Sequence, residues 1–213
     1  MFIIFTSPKN GNGVTVTAAS YALLSAIRGT RTVLIDLCGD QPAALGMQEP
    51  TAPGINDWLS ENSYGDNGQL LSTGRECMSG LLVIHRGARF VSGEPRWSAL
   101  ADAIAEMPYT VVVDAGVGYL PVELTQAASK IITVVKPCYL TLRRATQLPT
   151  PHSVFVVKEE GRALTVKDVG HVLNAPIEAE IPYEAAISRA VDAGLLPSRV
   201  EQLLSRHIET PAS

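Results

Sequence analysis

Short apolar runs alternate with helical stretches along most of the chain. Seven runs are rich in β-branched residues: FIIFT (2–6), TVLID (32–36), LLVIH (81–85), YTVVVD (109–114), KIITVV (130–135), SVFVV (153–157) and IEAEI (177–181). Most are almost continuously apolar, which is typical of parallel strands that are covered on both faces. Helical spacing of apolar residues lies between them, at 14–27, 97–107, 139–147, 166–174 and 184–193. The alternation predicts an α/β fold, a single doubly wound, mostly parallel β-sheet with helices on both faces and the first strand central.

Length and composition fit one such sheet. The chain has 213 residues, of which 46% are hydrophobic, and we therefore expect one domain over residues 1–213. From about residue 48 to residue 80 the composition shifts to Gly, Pro, Ser and Asn, with one predicted helix around INDWLSE. We interpret this region as a long connection within the domain. No apolar run approaches the roughly 20 residues of a membrane span, and MFIIFTS is too short for a signal peptide.

Charge and cysteine content exclude several classes of protein. Seventeen Lys and Arg residues stand against 21 Asp and Glu residues, a formal net charge of -4. Because non-specific binding to duplex DNA is essentially electrostatic, we expect little of it. Cys38, Cys77 and Cys138 form no close pair in the sequence, so neither a zinc site nor a disulfide framework is indicated.

The stretch SPKNGNGVT, residues 7–15, has the features of a phosphate-binding loop between the first strand and an Ala/Leu-rich helix. Gly11 and Gly13 lie where the backbone must bend, and Thr15 lies at the start of the helix. The P-loop pattern is G-x-x-x-x-G-K-[ST], in which the lysine contacts the phosphates. Val14 occupies the lysine position here, and Lys9 lies five residues earlier. Given the two glycines and Thr15, a phosphate-facing role for Lys9 is favoured over that of a solvated loop residue.

Two aspartates follow buried strands. Asp36 ends TVLID, and Asp114 ends YTVVVD. Ligands of doubly wound sheets bind beyond the carboxyl ends of the strands, so both carboxylates are expected near the 7–13 loop. A role with metal and water is favoured over the alternative, in which each aspartate caps the turn that follows its strand.

In this order, the loop, the two strand-end aspartates and the tail from KIITVVKP to the closing AVDAG resemble the MinD/ParA family of deviant Walker A ATPases. The resemblance covers essentially the whole chain, and the family loop reads K-G-G-x-G-K-[ST]. It implies that Lys9 is the signature lysine, which reaches the partner's phosphates across a nucleotide sandwich dimer. Gly11 and Gly13 match loop glycines, and Thr15 matches the hydroxyl that ligates Mg²⁺.

The same resemblance implies roles for three further residues. Asp114 matches the Walker B carboxylate that holds the metal's water shell, so Thr15 and Asp114 are the expected metal residues. Asp36 matches the switch I aspartate that orients the attacking water. Pro182, in the IPYE turn, matches the proline whose backbone borders the base.

Four positions depart from the family pattern. Asn10 replaces a glycine, Val14 replaces the lysine that acts within its own subunit, and Cys38 replaces the second switch aspartate. Lys158 stands where the family often has an Asn for the adenine base. Asp40 follows Cys38 by two residues, and whether it takes over the missing carboxylate is left open. The TadZ/CpaE pilus-assembly relatives also lose this lysine, the one that acts within its own subunit.

These comparisons predict a MinD/ParA-like protein with a degenerate P-loop that binds ATP and Mg²⁺ weakly or not at all and has weak or no ATPase activity. We expect a homodimer with a protein partner, acting in spatial organisation or scaffolding of a pilus, division or partition machine. It would be cytoplasmic and recruited to the membrane or pole by that partner. One alternative is an active ATPase that uses Lys9 in trans across a dimer. The other is a nucleotide-free dimeric interaction module.

The C-terminal stretch SRVEQLLSRHIETPAS is predicted to be a helix that packs on the core. Val200, Leu203, Leu204 and Ile208 can share one face, but the stretch is poor in Lys and Arg. Direct insertion into a membrane surface is therefore not expected, because stable binding needs both a large apolar face and basic residues.

Overall fold

The apolar runs pair into one sheet of eight strands. The computed structural model describes residues 1–51, 53–60 and 67–211. The strands are β1 (Phe2–Ser7), β2 (Thr32–Asp36), β3 (Arg75–Met78), β4 (Leu81–Ile84), β5 (Thr110–Val117), β6 (Lys130–Val135), β7 (Ser153–Lys158) and β8 (Ile177–Pro182). Their order is β3-β4-β2-β5-β1-β6-β7-β8. All pairs are parallel except β3 with β4. The predicted α/β class, with a mostly parallel sheet and a central first strand, is confirmed.

Helices cover both faces of the sheet. They are α1 (Val14–Ile27), α2 (Gln41–Ala44), α3 (Ile55–Ser60), α4 (Asn67–Ser72), α5 (Trp97–Ala105), α6 (Val122–Ala127), α7 (Tyr139–Ala145), α8 (Val166–Leu173), α9 (Ala185–Asp192) and α10 (Leu196–Leu204). Ile3 and Phe5 of β1 pack in a core with α1, α9 and α10. Phe2 and Ile4 point to the other face and pack with α3, α4, α5 and α6. Because alternate side chains of β1 are buried on opposite faces of the sheet, β1 is apolar at consecutive positions.

The region from 48 to 80 contains more structure than its composition predicts. Its one predicted helix, INDWLSE, corresponds to α3, and position 61 at its end lies outside the described residues. The chain also forms α4 and the edge strand β3, whose side chains are half-buried or exposed. A mixed, partly exposed edge strand lacks the apolar run by which the other strands are recognised.

The C-terminal helix packs on the core, as predicted. Val200 and Leu204 of α10, together with Ile208, are buried in the same cluster as α1. Arg28, at the end of α1, donates hydrogen bonds to the carbonyl oxygens of Ser205 (3.2 Å) and Ile208 (3.3 Å). Among the described residues, no helix combines the length and apolarity needed to cross a bilayer.

Candidate functional site

The loop between β1 and α1 bends at its two predicted glycines. Gly11 has φ 82° and Gly13 has φ 87°, values in the left-handed region that favours glycine. Gly13 is also the N-cap of α1, and no side chain caps this helix end. Asn10 keeps a negative φ, so the replacement of a glycine there introduces no backbone strain. The first turn of α1 therefore presents uncapped backbone amides to the space above the loop.

Buried polar side chains hold this loop from below. The Ser7 hydroxyl donates to the carbonyl oxygen of Val134 at 2.8 Å and accepts from Asn12 Nδ2 at 2.9 Å. Thr141 Oγ1 donates to Asn12 Oδ1 at 3.3 Å. Asn12 is 2% exposed, so its amide is a structural part of the loop. Sequence reasoning missed Asn12, because one of its partners, Thr141 on α7, lies far along the chain.

A cavity of about 440 Å³ opens above the loop. It is lined by loop residues 10, 11 and 13, by residues 14–16 of α1, and by Cys38, Asp40, Gly116 and Val117. Asp40 is the one charged residue among these lining residues, and its charge is negative. Val14 borders the cavity but is 8% exposed and belongs to the apolar core. The position of the P-loop lysine is thus occupied by a core side chain.

Lys9 does not line this cavity. Its side-chain ammonium donates to the carbonyl oxygen of Asn10 at 3.1 Å on the exposed side of the loop. Within one chain, the Lys9 ammonium is therefore not among the groups that line the space above Gly11 and Gly13. A contact with phosphate would need a second subunit or a turn of the side chain.

Asp114 lies at the cavity end of β5 and is fully buried. Its Oδ2 accepts from Gln41 Nε2 at 2.9 Å, and its Oδ1 accepts from the backbone amide of Gly116 at 3.1 Å. Burial raises the pKa of Asp114, while hydrogen bonds from the Gln41 amide and the Thr15 hydroxyl oppose the rise. The structure thus brings Thr15 and Asp114 together, as the sequence predicts. Gln41, which the sequence did not indicate, lies against both residues.

Asp36 is fully buried at the end of β2 and is engaged by the turn that follows it. Its Oδ1 accepts from the amides of Cys38 (2.9 Å) and Gly39 (2.7 Å), and its Oδ2 accepts from the amide of Gln41 (3.0 Å). Burial raises the pKa of Asp36 to about 6, and the backbone hydrogen bonds oppose that rise. Both oxygens therefore already organise the turn.

Cys38 lines the cavity as a neutral thiol. Burial raises its pKa to about 12, and the nearby carboxylates of Asp114 and Asp36 add to the rise. Its Sγ lies 4.0 Å from Asp114 Oδ1. A thiol in this state is neither a general base nor a nucleophile at neutral pH.

Comparison with solved structures identifies the architecture. A chain of the MinC:MinD cell division protein complex from Aquifex aeolicus superposes with TM-score 0.74 and 19% identity, covering 98% of each chain. A ParA family ATPase from Chlorobium tepidum TLS gives TM-score 0.75 and 22% identity over 95% of this chain and 92% of that chain. The septum site-determining protein MinD from Pyrococcus horikoshii OT3, complexed with Mg-ADP, gives 0.75 and 15% over 94% and 89%.

The chain has the fold of the MinD/ParA ATPases. No family model matches the chain, and no curated protein matches it. The similarity is therefore one of architecture, and the residues of this MinD/ParA-like chain have to be judged by their own geometry.

In this MinD/ParA-like fold, the carboxylates do not fit a divalent cation as they are arranged. Ligand atoms of Asp36, Cys38 and Asp114 lie within 4.8 Å of one another. Each carboxylate oxygen of the two aspartates already accepts at least one N–H. A cation beside Asp114 Oδ2 would face the Gln41 Nε2 hydrogen that is donated to this oxygen and carries partial positive charge. A cation can approach Asp114 Oδ2 without this opposition only if Gln41 moves.

Pro182, the expected neighbour of a base, ends β8 and lines an apolar groove of about 210 Å³. Gly13 of the loop and Val157 of β7 line the same groove, so it adjoins the cavity above the loop. Lys158 pairs with Glu180 at 3.1 Å. The cation that replaces the expected Asn is therefore held by a carboxylate on the neighbouring strand.

Proposed function

We propose that this chain is a MinD/ParA-like protein of spatial organisation that binds nucleotide weakly and hydrolyses it slowly or not at all. The observation that carries this proposal is the charge of the cavity above the loop. Its described lining residues include no Lys or Arg, and they include the carboxylate of Asp40. A triphosphate placed there would find backbone amides and the helix dipole but no ammonium group.

Slow hydrolysis follows from the same surroundings. Phosphoryl transfer depends on neutralising charge that develops on the transferred group. Val14 contributes no charge, Cys38 is a neutral thiol, and Asp36 is engaged by three backbone amides. We infer that Asp36 orders the switch turn, which was the alternative to a role in orienting water.

Work in a division, partition or pilus machine is proposed from the fold and from the resemblance of the motifs. One structural neighbour is a chain of a MinC:MinD cell division complex, and another is a ParA family ATPase. We propose a protein partner of that kind, a cytoplasmic location, and recruitment to the membrane or pole through the partner. The pilus branch rests on the lost lysine alone. Duplex DNA is not a proposed partner, because the net charge is -4.

Calorimetric titration of ATP with Mg²⁺, paired with a phosphate-release assay, tests the proposal. Val14→Lys should strengthen ATP binding about tenfold to hundredfold, because a charge-assisted hydrogen bond contributes about 1.5–3 kcal/mol. Val14→Met is the matched control, since it adds length without charge, and it should leave the affinity unchanged. Equal affinities for wild type and Val14→Lys would mean that the loop no longer forms a phosphate cradle. Rapid turnover by the wild type, abolished by Lys9→Ala, would instead favour the ATPase that uses Lys9 in trans.

A nucleotide-free dimeric module is the second candidate, and exposed apolar side chains favour it. Val117 ends β5, Tyr119 and Val122 follow it, and Tyr139 and Leu140 follow β6; all five are exposed. Since β5 and β6 flank β1 in a parallel arrangement, these side chains lie at the edge of the sheet that carries the loop. Sedimentation without nucleotide should then show a dimer that Tyr139→Ser weakens. Val172→Ser, an exposed change near the end of α8, is the control, and a wild-type monomer would contradict this candidate.

A further inference from the structure

Gln41 connects the three parts of the site. It is fully buried at the start of α2, and its backbone amide donates to Asp36 Oδ2 at 3.0 Å. Its side-chain Nε2 donates to Asp114 Oδ2 at 2.9 Å and to the backbone carbonyl oxygen of Thr15 at 3.1 Å. An amide nitrogen has two hydrogens, so both are used. One neutral side chain thereby bridges the switch turn, β5 and the first turn of α1.

The orientation of this amide is fixed by its partners. A flipped amide would place Oε1 against a carboxylate oxygen and a carbonyl oxygen, two acceptors that cannot donate to it. In the orientation observed, Gln41 Oε1 is buried and has no hydrogen-bond partner among the described residues. An unpaired buried oxygen costs free energy, yet this orientation is the one in which Nε2 can donate to Asp114. The contact with Asp114 therefore dominates the placement of Gln41.

On the basis of the proposed function, we propose that the Gln41 side-chain amide is a built-in plug that takes the place of a divalent cation beside Asp114. The amide supplies the partial positive charge that a buried carboxylate requires, so the folded chain needs no metal at this position. It also fills the space between Asp114 and the start of α1. A cation brought to Asp114 would meet the Gln41 N–H that is directed at Oδ2 and the Gly116 N–H that is directed at Oδ1.

Two substitutions separate the loss of the hydrogen bonds from the opening of the space. Gln41→Ala removes the amide and leaves room beside Asp114, whereas Gln41→Leu removes the amide and keeps the volume filled. Thermal unfolding is measured without nucleotide, with and without about 5 mM Mn²⁺, because a cation that binds only the folded state raises the melting temperature. We expect Mn²⁺ to stabilise Gln41→Ala, and to leave the wild type and Gln41→Leu unchanged. Asp114→Asn in the Gln41→Ala background should abolish the gain.

Asn56→Ala is the matched control for loss of a buried amide. Asn56 is 7% exposed and donates through Nδ2 to the carbonyl oxygen of Arg89 at 2.9 Å, away from Asp114. Mn²⁺ should not raise the melting temperature of this variant. The plug is refuted if folded Gln41→Ala gains nothing from Mn²⁺, or if Gln41→Leu gains as much as Gln41→Ala.

A measurement on the wild type keeps the inference testable if Gln41→Ala does not fold. ADP affinity is determined with Mg²⁺ and with EDTA, and the plug predicts equal values. An affinity that Mg²⁺ strengthens by about tenfold or more, a difference of about 1.4 kcal/mol, would refute the plug. Weak but Mg²⁺-dependent binding would refute the plug and leave the proposed function standing. Tight binding that ignores Mg²⁺ would refute the proposed function and leave the plug standing.

Discussion

Replacement of Gly116 by Ala tests whether the Cys38 thiol fixes the switch turn against β5. Gly116 follows Asp114 by two residues and has φ 63°, in the left-handed region. A Cβ added at this position would lie 2.2 Å from Cys38 Sγ and 3.6 Å from Cys38 Cβ. Relief of this contact requires either rotation of the Cys38 side chain away from the Asp114 oxygens or a shift of the turn that Asp36 holds through the Cys38 amide.

Two costs add up for Gly116→Ala. The left-handed backbone conformation costs an Ala about 1–2 kcal/mol. Forcing a methyl group into contact with the thiol adds about 1–3 kcal/mol of overpacking. The free energy of unfolding should therefore fall by about 2–5 kcal/mol. In a Cys38→Ala background the second cost disappears, so the coupling between the two positions should be about 1–3 kcal/mol.

Urea unfolding of the wild type, the two single variants and the double variant gives this coupling directly. Gly161→Ala serves as the control for backbone strain, because Gly161 has φ 77° and a Cβ there would meet nothing within 4 Å. Gly116→Ala should destabilise the chain more than Gly161→Ala does. If the two glycines cost the same, or if Gly116→Ala costs the same with and without Cys38, the thiol does not constrain the turn.

Three further outcomes follow from burial and titration. Since the pKa of Asp36 is raised to about 6 from 3.8, its contribution to stability is complete below about pH 4 and is lost as the pH rises through 6. The free energy of unfolding, measured against pH, should therefore fall by up to about 3 kcal/mol in the wild type and by less in Asp36→Asn. A flat wild-type profile would contradict this. Burial raises the pKa of Cys138, but hydrogen bonds from Thr141 outweigh it and the net pKa is lowered. Iodoacetamide at neutral pH, followed by mass spectrometry, should therefore modify Cys138 at least about tenfold faster than Cys38, and equal rates would contradict this. Leu204→Ala should lower the urea midpoint by an amount equivalent to about 2–5 kcal/mol, whereas an unchanged midpoint would show that α10 does not stabilise the core.

The sheet could be predicted from the sequence because its parallel strands are buried on both faces. Burial of that kind requires consecutive apolar residues, as in Val111, Val112 and Val113, and such runs stand out from amphipathic helices. The order of the loop, Asp36 and Asp114 could be predicted for a related reason. In a parallel sheet the carboxyl ends of the strands meet at one edge, so position at a strand end is enough to place a residue there.

The roles of the site residues could not be predicted in the same way. A strand-end aspartate that orients water and one that caps a turn occupy the same sequence position, and only the hydrogen bonds of Asp36 distinguish them. Gln41 gave no signal, because its importance comes from contacts with Thr15 and Asp114, 26 and 73 residues away. The edge strand β3 was missed because its half-buried and exposed residues form no apolar run.

The two buried aspartates of this site are surrounded by uncharged hydrogen-bond donors. Two buried carboxylates without hydrogen-bond donors would be costly in a low-dielectric interior. Here Asp36 accepts three backbone N–H groups, and Asp114 accepts one backbone N–H and the Gln41 amide. These donors and the Thr15 hydroxyl come from the chain itself and offset part of the cost of burial, although burial still raises the pKa of both carboxyl groups. Because these hydrogen bonds are made within the chain, the two carboxylates keep donors on their oxygens without nucleotide or metal, in line with the proposed weak binding.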